Sequence, residues 1–212
     1  MGNTQERFDI FDEHKNHLGT EARAEVHARG LWHQTFHCWL WTVVEGRVEV
    51  LIQQRHPEKD TFPGLLDISC AGHLLAGESV EDGVRELQEE LGVTAAFSEL
   101  IPCGVVEEED IIAEDCIDRE FCHIHLLRSD RPLEQYVLQP DEVTGLYKLG
   151  LEEFRSLADG RFEALTIQGV RLDENGVLIP YERTVSETDF VPHSSAYYRL
   201  VANAIKAAYP GK

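Results

Sequence analysis

The chain has 212 residues, with 19 Lys plus Arg against 39 Asp plus Glu, so its formal charge is −20. That balance argues against duplex nucleic acid and anionic membranes as partners, because both attract basic patches. No apolar run approaches the ~20 residues of a membrane span, MGNTQERFDIFDEH has no apolar stretch of signal-peptide type, and the five cysteines (Cys38, Cys70, Cys103, Cys116, Cys122) form no CxxC pair. These features lead us to expect a cytoplasmic, reduced protein folded as one domain over residues 1–212.

In chain order, Arg7 to Phe11 alternates and predicts a strand, with a turn at His17-Leu18-Gly19. Thr35 to Val44 and Val48 to Gln54 flank Glu45-Gly46 and predict a β-hairpin, so residues 1–55 read as strand plus hairpin. His56 to Gly64 holds two prolines and a glycine and predicts a loop. Leu65 to Cys70 follows as a short extended piece. A helix is predicted over Val80 to Leu91, because Val84, Leu87 and Leu91 recur at i, i+3 and i+7. Ser79 suits its N-cap and Gly92 its C-terminal end. Two strands, Glu99 to Val106 and Glu120 to Leu127, enclose an acidic stretch (107–118) read as a loop. Leu151 to Ala158 predicts a short helix. Residues 161–193 read as loops with a short strand. A last helix, about 194–208, gathers Tyr197, Leu200, Val201, Ala204, Ile205 and Ala208 on one face; an exposed stripe there would suggest a homodimer. The pattern is that of an α+β (α/β) chain, a mixed sheet with helices packed on it.

The densest chemistry lies on the first strong helix. Glu86, Glu89 and Glu90 stand at i, i+3 and i+4 and share one face. Three like charges repel there, toward the helix end where the dipole disfavours them. A hard divalent cation removes both penalties, since Mg²⁺ and Mn²⁺ take carboxylate oxygens. The alternative is a solvated face built from good helix formers.

The segment around these residues resembles the Nudix box, the signature of the Nudix hydrolase superfamily. Gly72, Glu78, Arg85, Glu86, Leu87, Glu89, Glu90, Gly92 and Val93 match its pattern over residues 72–93. One departure stands out: six residues separate Glu78 from Arg85, where the pattern has seven. The resemblance implies an α/β/α sandwich and a Mg²⁺- or Mn²⁺-dependent pyrophosphohydrolase acting on a small-molecule diphosphate, such as a nucleoside diphosphate derivative. It further implies metal ligation by Glu86, Glu89 and Glu90, with Gly72 and Glu78 as further candidates, and an orienting role for Arg85. Glu120 is the candidate base or extra ligand beyond the box.

The flanks, from about Phe8 to Leu157, are similar to the branch of that superfamily containing isopentenyl-diphosphate isomerase. That resemblance implies a second metal site at His33, His73 and, with a one-residue gap, His27, together with Asp118 and Glu120. The same histidines also read as hydrogen-bonded residues lining a pocket. The isomerase needs a Cys directly before Gly-His, and here that place is Ala71. Cys70, one residue earlier on an extended chain, points to the opposite face. Hydrolysis is therefore expected over isomerisation. A non-catalytic binding protein is expected least, because a binder has no need of three clustered glutamates. Trp32, Trp39 and Trp41 read as core or base-stacking residues, and Arg55, Lys59 and Lys148 as phosphate contacts without positional support.

Overall fold

Apolar alternation generates most of the strands. In the computed structural model, which describes residues 6–209, Arg7–Phe11 (β1) and His17–Ala22 (β2) form a separate antiparallel ribbon. The segment read as a turn at His17–Gly19 is thus the start of β2. The reversal lies just before it, where the Asp12 carboxylate accepts the backbone N–H groups of His14 and Asn16. A helix that the pattern did not reveal follows at Arg23–Arg29 (α1), stopped by Gly30 at φ 58°. It is seven residues long and buries Val26, too little for a visible stripe.

The main sheet comprises His33–Val44 (β3), Arg47–Arg55 (β4), Leu66–Asp67 (β5), Cys70–His73 (β6), Ile101–Ala113 (β7), Cys116–Arg128 (β8), Val143–Gly150 (β9), Leu165–Leu172 (β10) and Leu178–Val185 (β11). Its order is β11-β10-β9-β4-β3-β8-β7, with β5 paired to β4 and β6 to β3. Strands β3 and β8 run parallel and the other pairs antiparallel, so the sheet is mixed. The helices Arg85–Leu91 (α2), Leu151–Ala158 (α3) and Ser195–Ala208 (α4) complete the chain.

Period-two alternation along β3 divides the core. Trp39 and Trp41 face α3 and α4, where Phe154, Leu157, Tyr197, Val201 and Ile205 are buried. Phe36, Cys38 and Leu40 face α2, against Leu87 and Leu91. Helices therefore cover both sheet faces, as the α/β/α expectation requires. The apolar side of α4 is consumed in this packing: Tyr197, Val201 and Ile205 are buried, and Leu200, Ala204 and Ala208 pack against them. The exposed stripe that would have argued for a homodimer is not there.

Three other expectations need correction. The acidic stretch 107–118 is not a loop but the end of a β7–β8 hairpin, with Glu108 opposite Glu120 and Asp110 opposite Asp118. Acidic residues are poor strand formers, which disguised it. Residues 161–193 hold a full hairpin, β10–β11, turned where Asp173 accepts the N–H groups of Asn175 and Val177. The box helix is shorter than Val80–Leu91: a 3-10 turn at Asp82–Val84 leads into Arg85–Leu91, and Ser79 donates to the Asp82 carboxylate instead of capping the helix. Among the described residues no helix is long and apolar enough to cross a membrane.

Candidate active site

A cleft of about 880 Å³ opens between β6 and α2 on one side and the β7–β8 hairpin on the other. Strand β6 and helix α2 bring the box residues to its wall. Gly72 is required there because a Cβ would overlap the Glu86 carboxyl group. Arg85 binds Glu78 through two parallel contacts, Nε to Oε1 at 2.9 Å and Nη2 to Oε2 at 3.0 Å. It also reaches Glu86 at 2.6 Å, Glu89 at 3.0 Å and the His73 carbonyl at 3.0 Å. The shorter spacing between Glu78 and Arg85 is thus absorbed by the tight turn at Asp82–Val84 and leaves their pairing intact.

Glu86 and Glu90 are buried on α2, while Glu89 is half exposed. Burial lifts the Glu86 carboxyl to about 7, with Glu89 adding to it against the pull of Arg85. Burial and then Glu86 lift Glu90 to about 8. The Ala71 N–H donates to Glu90 at 3.3 Å. The box glutamates do not converge on one point; Arg85 spans two of them instead.

The convergence lies beside them. His27 of α1, His33 of β3, His73 of β6 and Asp118 of β8 each offer one ligand atom, all within 4.8 Å of one another. The Nε2 atoms of the three histidines and Asp118 Oδ1 are buried without hydrogen-bond partners. Glu120 Oε1 adjoins them, 3.8 Å from His33 and 3.6 Å from His73. His27 and His33 use Nδ1 to donate to the carbonyls of Arg23 and Leu31, at 2.9 and 3.0 Å, which directs an Nε2 lone pair inward when the rings are neutral. His73 differs. Arg23, which can only donate, approaches its Nδ1 at 3.1 Å, so the neutral ring carries its proton on the inward Nε2. Burial and then Arg23 hold the His73 pKa well below the usual range. Phe8 of β1 stacks on His73 at 4.6 Å and on His33 at 5.4 Å, closing the cluster from outside. Three of these orphaned atoms, His27 Nε2, His33 Nε2 and Asp118 Oδ1, fit a cation as they stand, and His73 Nε2 becomes a fourth once its proton moves.

Cationic side chains line the same cleft, paired with carboxylates. His193 bridges Asp67 (2.9 Å) and Glu108 (2.8 Å). Burial opposes its charge, yet the two carboxylates outweigh it and raise the imidazole to about 10. Arg55 binds Asp67 at 2.9 Å, Lys59 pairs with Glu142, and both line the cleft with Arg23. Lys148 does not: it pairs with Glu49 at 3.2 Å, away from the cleft lining. Of the tryptophans, Trp39 and Trp41 are core and Trp32 stacks on Phe121 at 4.8 Å; none lines the cleft. Ala71 does line it, whereas Cys70 is buried in the α2-side core.

Pattern reasoning missed His193, Asp67, Arg23, His37 and Phe8. They come from five separate segments, and only the chain fold brings them together. The acidic crowding was also too broad a signal. Glu78, Glu86, Glu89, Glu90, Glu108, Asp110, Asp118 and Glu120 line the cleft, but Glu81, Asp82, Glu107, Glu109, Glu114 and Asp115 do not. Strand alternation accounts for Glu107 and Glu109, which point away from the face that carries Glu108 and Asp110.

The family model described as NUDIX domain matches residues 32–163. An uncharacterised Nudix hydrolase of Clostridium acetobutylicum is 42% identical over 205 residues, covering 97% of this chain and 99% of its own. Isopentenyl-diphosphate Delta-isomerase 2 of Photorhabdus laumondii is 26% identical over 74% of this chain and 85% of its own. Among solved structures, DR0079 from Deinococcus radiodurans superposes with TM-score 0.56 at 22% identity, covering 73% of this chain and 90% of that one.

Proposed function

Because the chain belongs to the Nudix hydrolase family, we propose that it is a divalent-metal-dependent pyrophosphohydrolase, cleaving the diphosphate linkage of a small polar molecule such as a nucleoside diphosphate derivative. The observation that carries this reading is the intact box on the cleft wall, with Glu86 and Glu90 buried on α2 beside Gly72 and Arg85 paired to Glu78; the orphaned donors of His27, His33, His73 and Asp118 beside it supply a second cation site. His27, His33 and Asp118 would hold one cation, with Glu120 at its edge and His73 joining once Arg23 releases Nδ1. Imidazole donors suit a first-row transition ion better than Mg²⁺. Glu86, Glu89 and Glu90, with the Gly72 carbonyl, would serve a Mg²⁺ or Mn²⁺ that arrives with the substrate phosphates. When bound, such ions neutralise the phosphates and lower the pKa of the attacking water.

The chain's own residues do the rest. Arg55 and Lys59, which line the same cleft, are the phosphate-binding charges. Arg85 fixes Glu78 and steers Glu86 and Glu89. Glu120, adjoining the cluster, is the base that takes the proton of the attacking water. The polar character of the walls supports a polar substrate: Phe62, Ile68, Ala71, Leu75 and Val191 are the apolar lining residues among many charged ones. The same cleft disfavours an isomerase, since Ala71 occupies the wall and Cys70 lies in the core. The partner we propose is therefore a small-molecule diphosphate substrate.

A screen of diphosphates with Mg²⁺ and with Mn²⁺, following phosphate or monophosphate release, tests this. Glu90→Gln should abolish turnover while the fold persists. Full activity of that variant, or isomerisation of isopentenyl diphosphate that Cys70→Ala abolishes, would overturn the reading.

A further inference from the structure

Tyr197 of α4 hydrogen-bonds to His37, whose other ring nitrogen faces Glu120 across 3.7 Å. Trp39 donates its indole N–H to the Tyr197 hydroxyl oxygen at 3.1 Å, and that oxygen lies 2.9 Å from His37 Nδ1. The direction of the second bond follows from the first. An indole N–H can only donate, so the phenol oxygen accepts from Trp39. Burial keeps the phenol protonated, and a buried O–H needs an acceptor. His37 Nδ1 is the acceptor at hand, so neutral His37 carries its own proton on Nε2.

That Nε2–H faces Glu120 Oε2 at 3.7 Å. Thr35 Oγ1 donates to the same oxygen at 3.4 Å and Cys122 Sγ at 3.5 Å. Three donors thus crowd one oxygen of Glu120, and its other oxygen turns to His33 and His73.

We infer that Tyr197 is a positioning residue: it sets the tautomer of His37, which with Thr35 and Cys122 holds Oε2 of Glu120 so that Oε1 is presented to the histidine–aspartate cluster. This rests on the reading of Glu120 as a working carboxylate of the cleft. A different use of the same atoms is conceivable chemically, because His37, Glu120 and Cys122 also offer ligand atoms within 4.8 Å of one another. A cation there needs the lone pair of His37 Nε2, hence the opposite tautomer, with Nδ1–H donating to a phenol oxygen that already accepts from Trp39.

Long-range ¹H–¹⁵N correlation spectra of the full-length protein, labelled with ¹⁵N-histidine and kept free of added metal, read the tautomer directly. His37 is assigned by the signals lost in His37→Gln. The expected result is an unprotonated Nδ1 and a protonated Nε2 in the wild type, a pattern lost in Tyr197→Phe. In the diphosphate assay Tyr197→Phe should lower kcat about tenfold with KM within about twofold. A wild-type His37 protonated on Nδ1, or a Tyr197→Phe enzyme with unchanged kcat, overturns the inference. The spectrum needs neither substrate nor metal, so its failure is distinct from a diphosphate screen that finds no turnover.

Discussion

Single residues settle which parts of the cleft face a cation and which face the chain itself. Arg23 is the clearest case. Its guanidinium lies 3.1 Å from His73 Nδ1 and adds positive charge beside four unpaired donors. A cation in the cluster must therefore work against Arg23. Replacing it with a neutral side chain should tighten binding: Arg23→Gln should bind Mn²⁺ several-fold more strongly by titration calorimetry, since one nearby charge at a partly buried site is worth about 1–3 kcal/mol. Unchanged or weaker affinity would show that Arg23 does not oppose the ion. The box carboxylates were legible at this scale because helix geometry makes i, i+3 and i+4 neighbours by rule. Arg23 was not, because no spacing rule links residue 23 to residue 73.

Elements bring such residues into register, and each contributes by its alternation. Strand β8 sends Asp118, Glu120, Cys122, Ile124 and Leu126 to one face, so one strand supplies cluster ligand and core together. The carboxylates at 118 and 120 could be named from the sequence, and Glu120 was read as a strand start, but Asp118 was read as a loop end because charge hides the alternation there. The β1–β2 ribbon closes the histidine cluster through Phe8, which is fully buried. Phe8→Ala should lower unfolding free energy by about 3–5 kcal/mol in chemical denaturation and open the cluster to solvent. A loss below about 1 kcal/mol would mean the ribbon is an ornament to the fold. His193, just before α4, ties that helix to β5 and β7 through Asp67 and Glu108. His193→Gln leaves the partly buried Glu108 without its cation and Asp67 with Arg55 alone, and should cost about 3–5 kcal/mol, read as a fall in denaturation midpoint. A midpoint within error of wild type would contradict the charged bridge. No pattern announced it, since its partners lie 85 and 126 residues away in sequence.

At the scale of the whole molecule, the charge of −20 is arranged as a cleft that repels itself. Glu86 is lifted to about 7, Glu90 to about 8 and Asp110 to about 6, burial being the largest cause in each. A carboxyl with a raised folded-state pKa holds its proton after the unfolded chain has released it. Its contribution to stability is therefore fully present below about pH 4 to 5 and drains away as pH climbs through the folded value. His193, lifted to about 10, works in the same direction from its ordinary value upward. His73, His123 and His125, held below their ordinary value by burial, work in the opposite direction up to about pH 6.5, so the protein without divalent cation should lose stability between about pH 6.5 and about pH 8. A cation bound to the deprotonated cleft reverses the Glu86 and Glu90 part, because it prefers the charged carboxylates and offsets their mutual repulsion. Melting curves in EDTA and in Mn²⁺ check this: Tm in EDTA should fall from about pH 6.5 to about pH 8, and the gain from Mn²⁺ should be larger at the higher pH. Glu86→Gln with Glu90→Gln should flatten both trends, leaving the weaker slope set by Asp110 and His193. If the metal-induced gain were equal at both pH values, the buried glutamates would not be the groups to which the ion is coupled.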